Sequence, residues 1–340
     1  MEHSDSVPLF SIVIPTYNRL SLLKEALASA QAQTYPNLEI VLLDNHSDDG
    51  TFEYIKACAV NDNRLRIVRN SENIGPIANF QQIPEHAKGE YLLILSDDDL
   101  IEPILCARSV ECMALDNDIV LYASKTDHFI GNGSYATAEK IQHNKQNQDL
   151  IVSGEDYFKK WCENKLFICW SGIVYRMNIV KQIGKWEHCY NVDVQSVICC
   201  ALFGRVFIDH QVLSHYRLSN VNTSNTCWKS LKYRLEDFLI AYRSICRFSH
   251  DRLDKAFCDY FVLLIFCHIR SVKELKEVRD ILLQLKKDYA SGLYLAYVSA
   301  KHFHRLILSI FFSMKQRAYI RKGYILCKNI ILTSNITINK

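Results

Sequence analysis

Tyr91-Leu92-Leu93-Ile94-Leu95-Ser96-Asp97-Asp98-Asp99 runs from five apolar residues straight into three adjacent carboxylates. A short apolar run of this kind suits a strand buried on both faces. Three like charges at its end repel one another, and taking any of them out of water is costly. A divalent cation removes that conflict, because hard cations take carboxylate oxygens as ligands. A cation that also bridges two phosphates makes such a strand end a nucleotide-diphosphate site. The alternative is a solvated loop, since Asp favours turns and helix N-caps.

Upstream, the same pattern of strand followed by polar turn recurs. Phe10–Ile14 is apolar and β-branched and stops at Pro15; Leu38–Leu43 is a second buried strand, ending at Asp44; Leu65–Val68 is a third. Helical spacing fills the gaps: Leu20–Ala32, with Ser21 as a candidate cap, then Thr51–Ala59 and Ile77–Ala87. Downstream, Pro103–Leu115 reads as a helix with proline in its first turn, and Ile119–Ala123 as a fifth strand. Apolar strands alternating with helices predict an α/β fold, a mostly parallel sheet with helices on both faces. Such sheets bind ligands beyond the carboxyl ends of their strands. Pro15-Thr16-Tyr17-Asn18, Asp44-Asn45-His46-Ser47 and Ser96-Asp97-Asp98-Asp99 are three such ends, so they are expected to line one crevice. No GxGxxG follows the first strand and no Walker A sequence occurs, which argues against a dehydrogenase or a P-loop enzyme.

Beyond the fifth strand, residues 126–150 are polar and read as an extended or mobile insertion. Ser153–Trp161 reads as a helix with a capping box from Ser153 to Asp156. Phe167–Tyr175 is strand-like, broken by Gly172; Val192–Leu202 is helical; Val206–Ile208 and Val212–Arg217 are two short strands. From Trp228 the pattern changes to long helices, Tyr233–Phe248, Asp254–Arg270, Val272–Tyr289 and Leu293–Phe312. Asp288 is the last acidic residue. After it come Lys301, Arg305, Lys315, Arg317, Arg321, Lys322, Lys328 and Lys340, mixed with aromatics. Such a tail suits an anionic membrane surface, and equally a helical cap with a solvated basic face.

The 340 residues are 49% apolar and 23% charged, as in a globular protein, and the net charge of +3 is too small to argue for nucleic acid. Thirteen cysteines without CxxC spacing, among them Cys58, Cys106, Cys112, Cys199 and Cys200 in apolar patterns, read as free thiols of a reducing compartment. Met1–Pro8 does not read as a signal peptide, and the apolar runs Phe261–Cys267 and Leu306–Phe312 are too short to span a bilayer. The expected location is cytoplasmic, peripheral at the inner face of the plasma membrane if the tail binds lipid.

Phe10-Ser11-Ile12-Val13-Ile14-Pro15-Thr16-Tyr17-Asn18-Arg19 resembles the opening strand of the family 2 glycosyltransferases, which have the GT-A fold. Val41 to Thr51 resembles their second signature, Asn70 to Gly75 with Asn79, Ala87, Gly89 and Glu90 the approach to their metal motif, and Leu95 to Pro103 that motif itself. Less closely, Trp170 to Arg176, Ile183 to Trp186, Asn191-Val192-Asp193, and Val212–Arg217 with Asn222-Thr223-Ser224 resemble the acceptor-side half. The resemblance implies a GT-A domain over 1–225, with 1–105 binding the nucleotide sugar and 106–225 facing the acceptor. The helical region 226–340 is read from pattern alone.

It also implies roles. Pro15, Thr16, Tyr17, Asn18, Asp44 and Asn79 would hold the nucleoside, with Tyr17 offering a stacking face and Asp44 accepting an imide N–H. Packing for Tyr17 and helix capping for Asp44 stand as alternatives. The acidic run would bind Mn²⁺ or Mg²⁺: Asp98 as the central ligand, Asp99 as a second ligand or an N-cap, Asp97 toward the ribose or a water. Asp193 would be the base of an inverting transfer, or only the N-cap of its helix. Arg217 could reach the diphosphate from a flexible loop; Asn222 is a further candidate, and His215 reads as a structural histidine. The chain departs from the family pattern at Ser96, Val192 and Ala78, where Asp, Glu and Arg are usual. The implied reaction moves a hexosyl or N-acetylhexosaminyl group from a nucleotide-diphosphate sugar, a UDP-sugar by family tendency. The acceptor would be a glycan or lipid-linked glycan in surface polysaccharide synthesis, with no nucleic acid partner. A catalytically inactive nucleotide-sugar-binding subunit of a polysaccharide assembly is the main rival. A nucleotidyltransferase is the other, but Pro15–Arg19 is not its usual Gly-rich basic loop.

Overall fold

The computed structural model describes residues 7–130, 139–142, 148–162, 166, 169–188 and 192–218. The chain divides into two compact units, Met1–Lys229 with Asp237–Phe257, and Ser230–Glu236 with Cys258–Lys340; every described residue belongs to the first. The expected helices after Trp228, the basic tail 301–340, Asn222 and the 225/226 boundary therefore lie outside the described residues.

The first half alternates as the apolar runs require: β1 (Phe10–Thr16), α1 (Leu20–Gln31), β2 (Leu38–Asp44), α2 (Thr51–Asn61), β3 (Leu65–Arg69), α3 (Pro76–Gln81), α4 (Ile83–His86), β4 (Tyr91–Ile94), β5 (Leu100–Ile101) and α5 (Leu105–Ala114). The second half holds β6 (Ile119–Ile130), β7 (Glu139–Gln142), β8 (Leu150–Ser153), α6 (Gly154–Cys162), β9 (Ile173–Arg176), α7 (Met177–Ile183), α8 (Val192–Ala201) and β10 (Arg205–Leu218). Strand order is β3-β2-β1-β4-β9-β6-β10-β5, with β7 on β6 and β8 on β10. The β1–β2, β1–β4, β2–β3 and β6–β10 ladders are parallel. β9 is antiparallel to both β4 and β6, so those two run in one direction although they do not touch. The sheet is mixed, but its long strands all point their carboxyl ends to one edge.

Every residue of β1 is buried, and α1 covers it with Leu23, Ala26, Leu27 and Ala30. Where one helix was expected over Ile77–Ala87, α3 and α4 meet at Gln82, because Pro84 has no N–H to continue the α3 ladder. The capping box at α6 is present: the Asp156 N–H donates to Ser153 Oγ over 3.1 Å. Gly154 opens that helix against α8, where a Cβ would stand 1.8 Å from the Ala201 carbonyl oxygen. Cys58, Cys106, Cys112, Cys169, Cys199 and Cys200 are free thiols, all buried except Cys58, which is partly so.

Three expectations are corrected. The start of the polar 126–150 segment is not an insertion but the second half of β6. Its polar side chains pair across to β10: Thr126 Oγ1 lies 2.7 Å from Ser214 Oγ, Asp127 binds His215, and His128 packs edge-on to Tyr216. Val206–Ile208 and Val212–Arg217 are one strand, β10, whose register shifts between Ile208 and Ser214. At that irregularity Asp209 is buried and accepts from Arg108 Nε at 3.0 Å and the Tyr122 hydroxyl at 2.8 Å. Finally, of the strand expected over Phe167–Tyr175, the first two residues lie outside the described ones, and Trp170–Gly172 is not strand; the described strand begins at Ile173. Trp170–Gly172 is a 3-10 turn pressed onto β6 and β10, with a Cβ on Gly172 only 2.5 Å from Ser214 Oγ.

Candidate active site

The ends of β1, β2 and β4 meet at the carboxyl edge. Leu95 N–H donates to Val13 O, so the main-chain groups of Val13, and by alternation those of Pro15, face β4. β4 has already left its ladder with β1 at Ile94, so Pro15 leaves no donor unpaired there and the acidic run is free to turn away. The β1 and β2 loops are locked together. Asn18 donates from Nδ2 to Asp48 Oδ1 at 2.8 Å, and its Oδ1 accepts the Asp48 N–H at 2.9 Å. Asn18 (φ +50°) and His46 (φ +67°) are both left-handed, as these tight turns demand. Asn18 thus braces two loops with its side chain. Tyr17 beside it is 41% exposed.

The three carboxylates of the acidic run do not converge. Asp97 Oδ2 accepts from Thr16 Oγ1 at 2.9 Å, and a single guanidinium nitrogen, Arg19 Nη1, lies 3.1 Å from both Asp97 Oδ1 and Asp98 Oδ2. Asp99 points the other way: Oδ2 accepts from Ser171 Oγ at 2.7 Å, and Oδ1 accepts the Arg217 N–H at 3.0 Å. The structure therefore puts Asp97, rather than Asp99, beside Asp98 and makes Asp99 an anchor for the 3-10 turn and for β10. All three are buried. Burial, and then the charge of Asp98, push Asp97 up to about 6 and Asp99 up to about 8; burial raises Asp98 as well, against the pull of Arg19.

The Asp99 shift has a measurable sign. From the unfolded value near 4 up to about 8, folded Asp99 holds a proton that the unfolded chain has released. Stability from this group is therefore full below the unfolded value and is lost as pH rises toward the folded one. Asp99→Asn has nothing to titrate. Its unfolding free energy relative to wild type is expected to climb between pH 5 and pH 8, by at most about 1.4 kcal/mol per unit. Parallel urea-melt curves for the two proteins across that range would show Asp99 ionised throughout.

β10 backs this floor. Arg217 is a correction: it lies on the strand, fully buried, not on a mobile loop. Its Nε donates to the Asp98 carbonyl at 2.8 Å, Nη2 stands 3.2 Å from Glu25 Oε2, and the guanidinium covers Phe129. His215 bridges Asp127 through Nδ1 and Glu102 through Nε2, the latter at 2.8 Å. Both are fastenings beneath the acidic turn.

Asp44 is wholly buried at the end of β2. Its Oδ1 accepts the Ser47 N–H at 3.1 Å; Oδ2 lies 3.3 Å from Arg69 Nε, outside hydrogen-bonding geometry, and accepts no hydrogen bond. It does not cap α2, whose N-cap is Gly50. Asn79 is committed inside the protein, accepting from Asn70 Nδ2 at 2.8 Å and donating to the Leu43 carbonyl at 3.4 Å. Asp193 sits within the first turn of α8, partly buried, with Oδ1 accepting the Val194 N–H at 2.8 Å. Ser196 ties that turn to the sheet, donating to the Asp193 carbonyl at 3.0 Å and standing 3.2 Å from the Tyr175 hydroxyl on β9.

Sequence reasoning gave no role to Arg19, Ser171, Glu25, Glu102 or Asp127. Arg19 had a visible signal, a cation ending the first-strand signature; the others depend on long-range register. Among the described residues, Asp149, Asp209 and His210 also bring three ligand atoms within 4.8 Å of one another. Those carboxylates already bind Arg108, Tyr122 and His210 itself, so the cluster is a self-satisfied ion-pair knot.

The family model described as "Glycosyl transferase family 2" matches residues 11–184. A Haemophilus influenzae protein named as an uncharacterized glycosyltransferase is 32% identical over 227 residues, covering 66% of this chain and 85% of its own. Staphylococcus aureus TarS 1-349, solved in complex with UDP-GlcNAc, shares the fold with TM-score 0.68 at 16% identity, over 93% of this chain and 92% of that one. The mannosyltransferase PcManGT of Pyrobaculum calidifontis, solved with GDP-Man and Mn2+, has TM-score 0.56 at 17% identity, over 97% and 89% of the two chains. With more than half the chain matched by the family model and the fold shared with TarS, this protein is a glycosyltransferase of GT-A fold and belongs to family 2.

Proposed function

We propose that the chain catalyses an inverting, metal-dependent transfer of a hexosyl or N-acetylhexosaminyl group from a UDP-sugar to a glycan or lipid-linked glycan. The observation that carries this reading is the Asp97–Asp98 pair at the end of β4, two buried carboxylates sharing one cationic nitrogen. The donor set fits Mn²⁺ or Mg²⁺: both are hard oxygen ligands, and burial outweighs the pull of Arg19 and holds both above the usual carboxylate range. Asp98 and Asp97 would hold the ion, which when bound supplies positive charge to the diphosphate leaving group. Tyr17 stacks on the base, and Asp44 Oδ2, which accepts no hydrogen bond, takes the imide N–H. Thr16 keeps Asp97 turned to the crevice. Asp193 removes the acceptor hydroxyl proton as that oxygen attacks the anomeric carbon. The UDP-GlcNAc bound by TarS and the GDP-Man with Mn2+ bound by PcManGT support a nucleotide-sugar donor and a metal.

Among the described residues no helix is long and apolar enough to cross a membrane. A cytoplasmic enzyme that meets lipid-linked acceptors through residues 301–340, at the inner face of the plasma membrane, accords with the basic composition of that segment. The test is a donor panel. The protein is mixed with Mn²⁺ and with UDP-, GDP- and dTDP-sugars, and thermal stabilisation and slow donor hydrolysis are measured. UDP-sugars are expected to raise the melting temperature, further with Mn²⁺ than without it, and to be hydrolysed only with Mn²⁺. Preference for another base moves the assignment of Asp44, and stabilisation by none of them overturns the reading.

A further inference from the structure

Arg19 touches both carboxylates of the proposed donor site, through a single nitrogen 3.1 Å from each. Its side chain is 22% exposed while theirs are 9% and 12% exposed, so it closes the pair from the crevice side. Its backbone is fixed, since the Arg19 carbonyl accepts the Leu22 and Leu23 N–H groups at the start of α1. The start of α1 is held by these backbone bonds and does not depend on the ion pair between Arg19 and the two carboxylates.

We propose that Arg19 is a positioning residue that occupies the cation's place between Asp97 and Asp98 until the donor arrives, so that divalent cation and nucleotide diphosphate enter together. The inference rests on the reading of the acidic run as the donor-metal site. Electrostatics supplies the reason. A divalent ion entering alone must either displace the guanidinium or sit beside it, placing three positive charges against two negative ones. A diphosphate changes that balance. It adds negative charge of its own, and its oxygens offer the guanidinium a bidentate partner to turn to. Cation and nucleotide then strengthen each other's binding, and the coupling is reciprocal.

The test titrates Mn²⁺ at pH 8, by the paramagnetic resonance signal of the free ion, with and without UDP. Wild type is expected to bind Mn²⁺ weakly alone and far more tightly with UDP. Arg19→Gln should bind Mn²⁺ alone about tenfold more tightly than wild type and lose a matching share of the coupling, within the usual range for linked sites. Arg19→Lys keeps the charge but, as a compact ammonium, holds the pair less well, and is expected to fall between them. Should Arg19→Gln not fold, as judged by circular dichroism, tighter Mn²⁺ binding by Arg19→Lys than by wild type supports the proposal in its place. If UDP promotes Mn²⁺ binding but neither variant binds Mn²⁺ alone more tightly than wild type, the role of Arg19 is overturned and the site stands. If wild type and the variants all bind no Mn²⁺ even with UDP, the site reading itself fails.

Discussion

Asp98→Asn is expected to abolish the extra thermal stability that Mn²⁺ gives to the UDP complex, and to lower sugar transfer by about a thousandfold, the size seen when one preorganised electrostatic contact is removed. The substitution is conservative in shape. The Asp98 carbonyl still accepts from Arg217 Nε, so the turn keeps its backbone, and the new amide oxygen can still accept from Arg19. What is lost is one of two charges facing the crevice. UDP binding without metal should survive, because Tyr17 and Asp44 lie at the ends of other strands. Asp99→Asn is the internal comparison: its oxygens are spent on Ser171 and the Arg217 N–H, so it should keep the Mn²⁺ effect. If instead Asp98→Asn retains that effect and Asp97→Asn loses it, the ligand is Asp97.

Much of this site is legible in the sequence because it is local. A strand's carboxyl end is where its apolar run stops, so Thr16, Asp44 and Asp98 can be assigned to one edge from the apolar runs alone. The direction each carboxylate takes is not legible. Asp97, Asp98 and Asp99 are neighbours in sequence, yet Asp99 turns inward because Ser171 and the Arg217 N–H, more than 70 residues away, offer it donors. The second half of the sheet is hidden for a related reason. Thr126-Asp127-His128 has no apolar period, so it reads as the start of an insertion, but Thr126 and Asp127 pair with Ser214 and His215 across β6 and β10. Buried polar pairs of this kind erase the hydrophobic signal by which strands are recognised. Asn79 shows the same limit: its position suggests a ligand contact, and only the structure reveals that its amide also accepts from Asn70 and donates to the Leu43 carbonyl.

Asp193→Asn is expected to lower transfer by about 10²- to 10⁴-fold, the usual contribution of a positioned general base, while UDP and Mn²⁺ binding stay at wild-type strength. The expectation rests on separation of parts. Asp193 belongs to α8, which packs on α6, α7 and β6. The acidic run belongs to β4 and is held by Thr16, Arg19, Ser171 and Arg217. What joins them is Tyr175 on β9, which pairs with Leu92 of β4 and reaches Ser196 in the first turn of α8. That link sets the first turn of α8 relative to β4 without making Asp193 part of the donor floor. The helix N-terminus favours a negative charge there, which suits a base that must be ionised before the acceptor binds. Asparagine keeps the hydrogen bond from the Val194 N–H and removes only the proton-accepting charge. Loss of turnover with intact donor binding therefore identifies a base. Joint loss of turnover and UDP binding would make Asp193 a structural part of α8, and unchanged turnover would move the base elsewhere on the acceptor side.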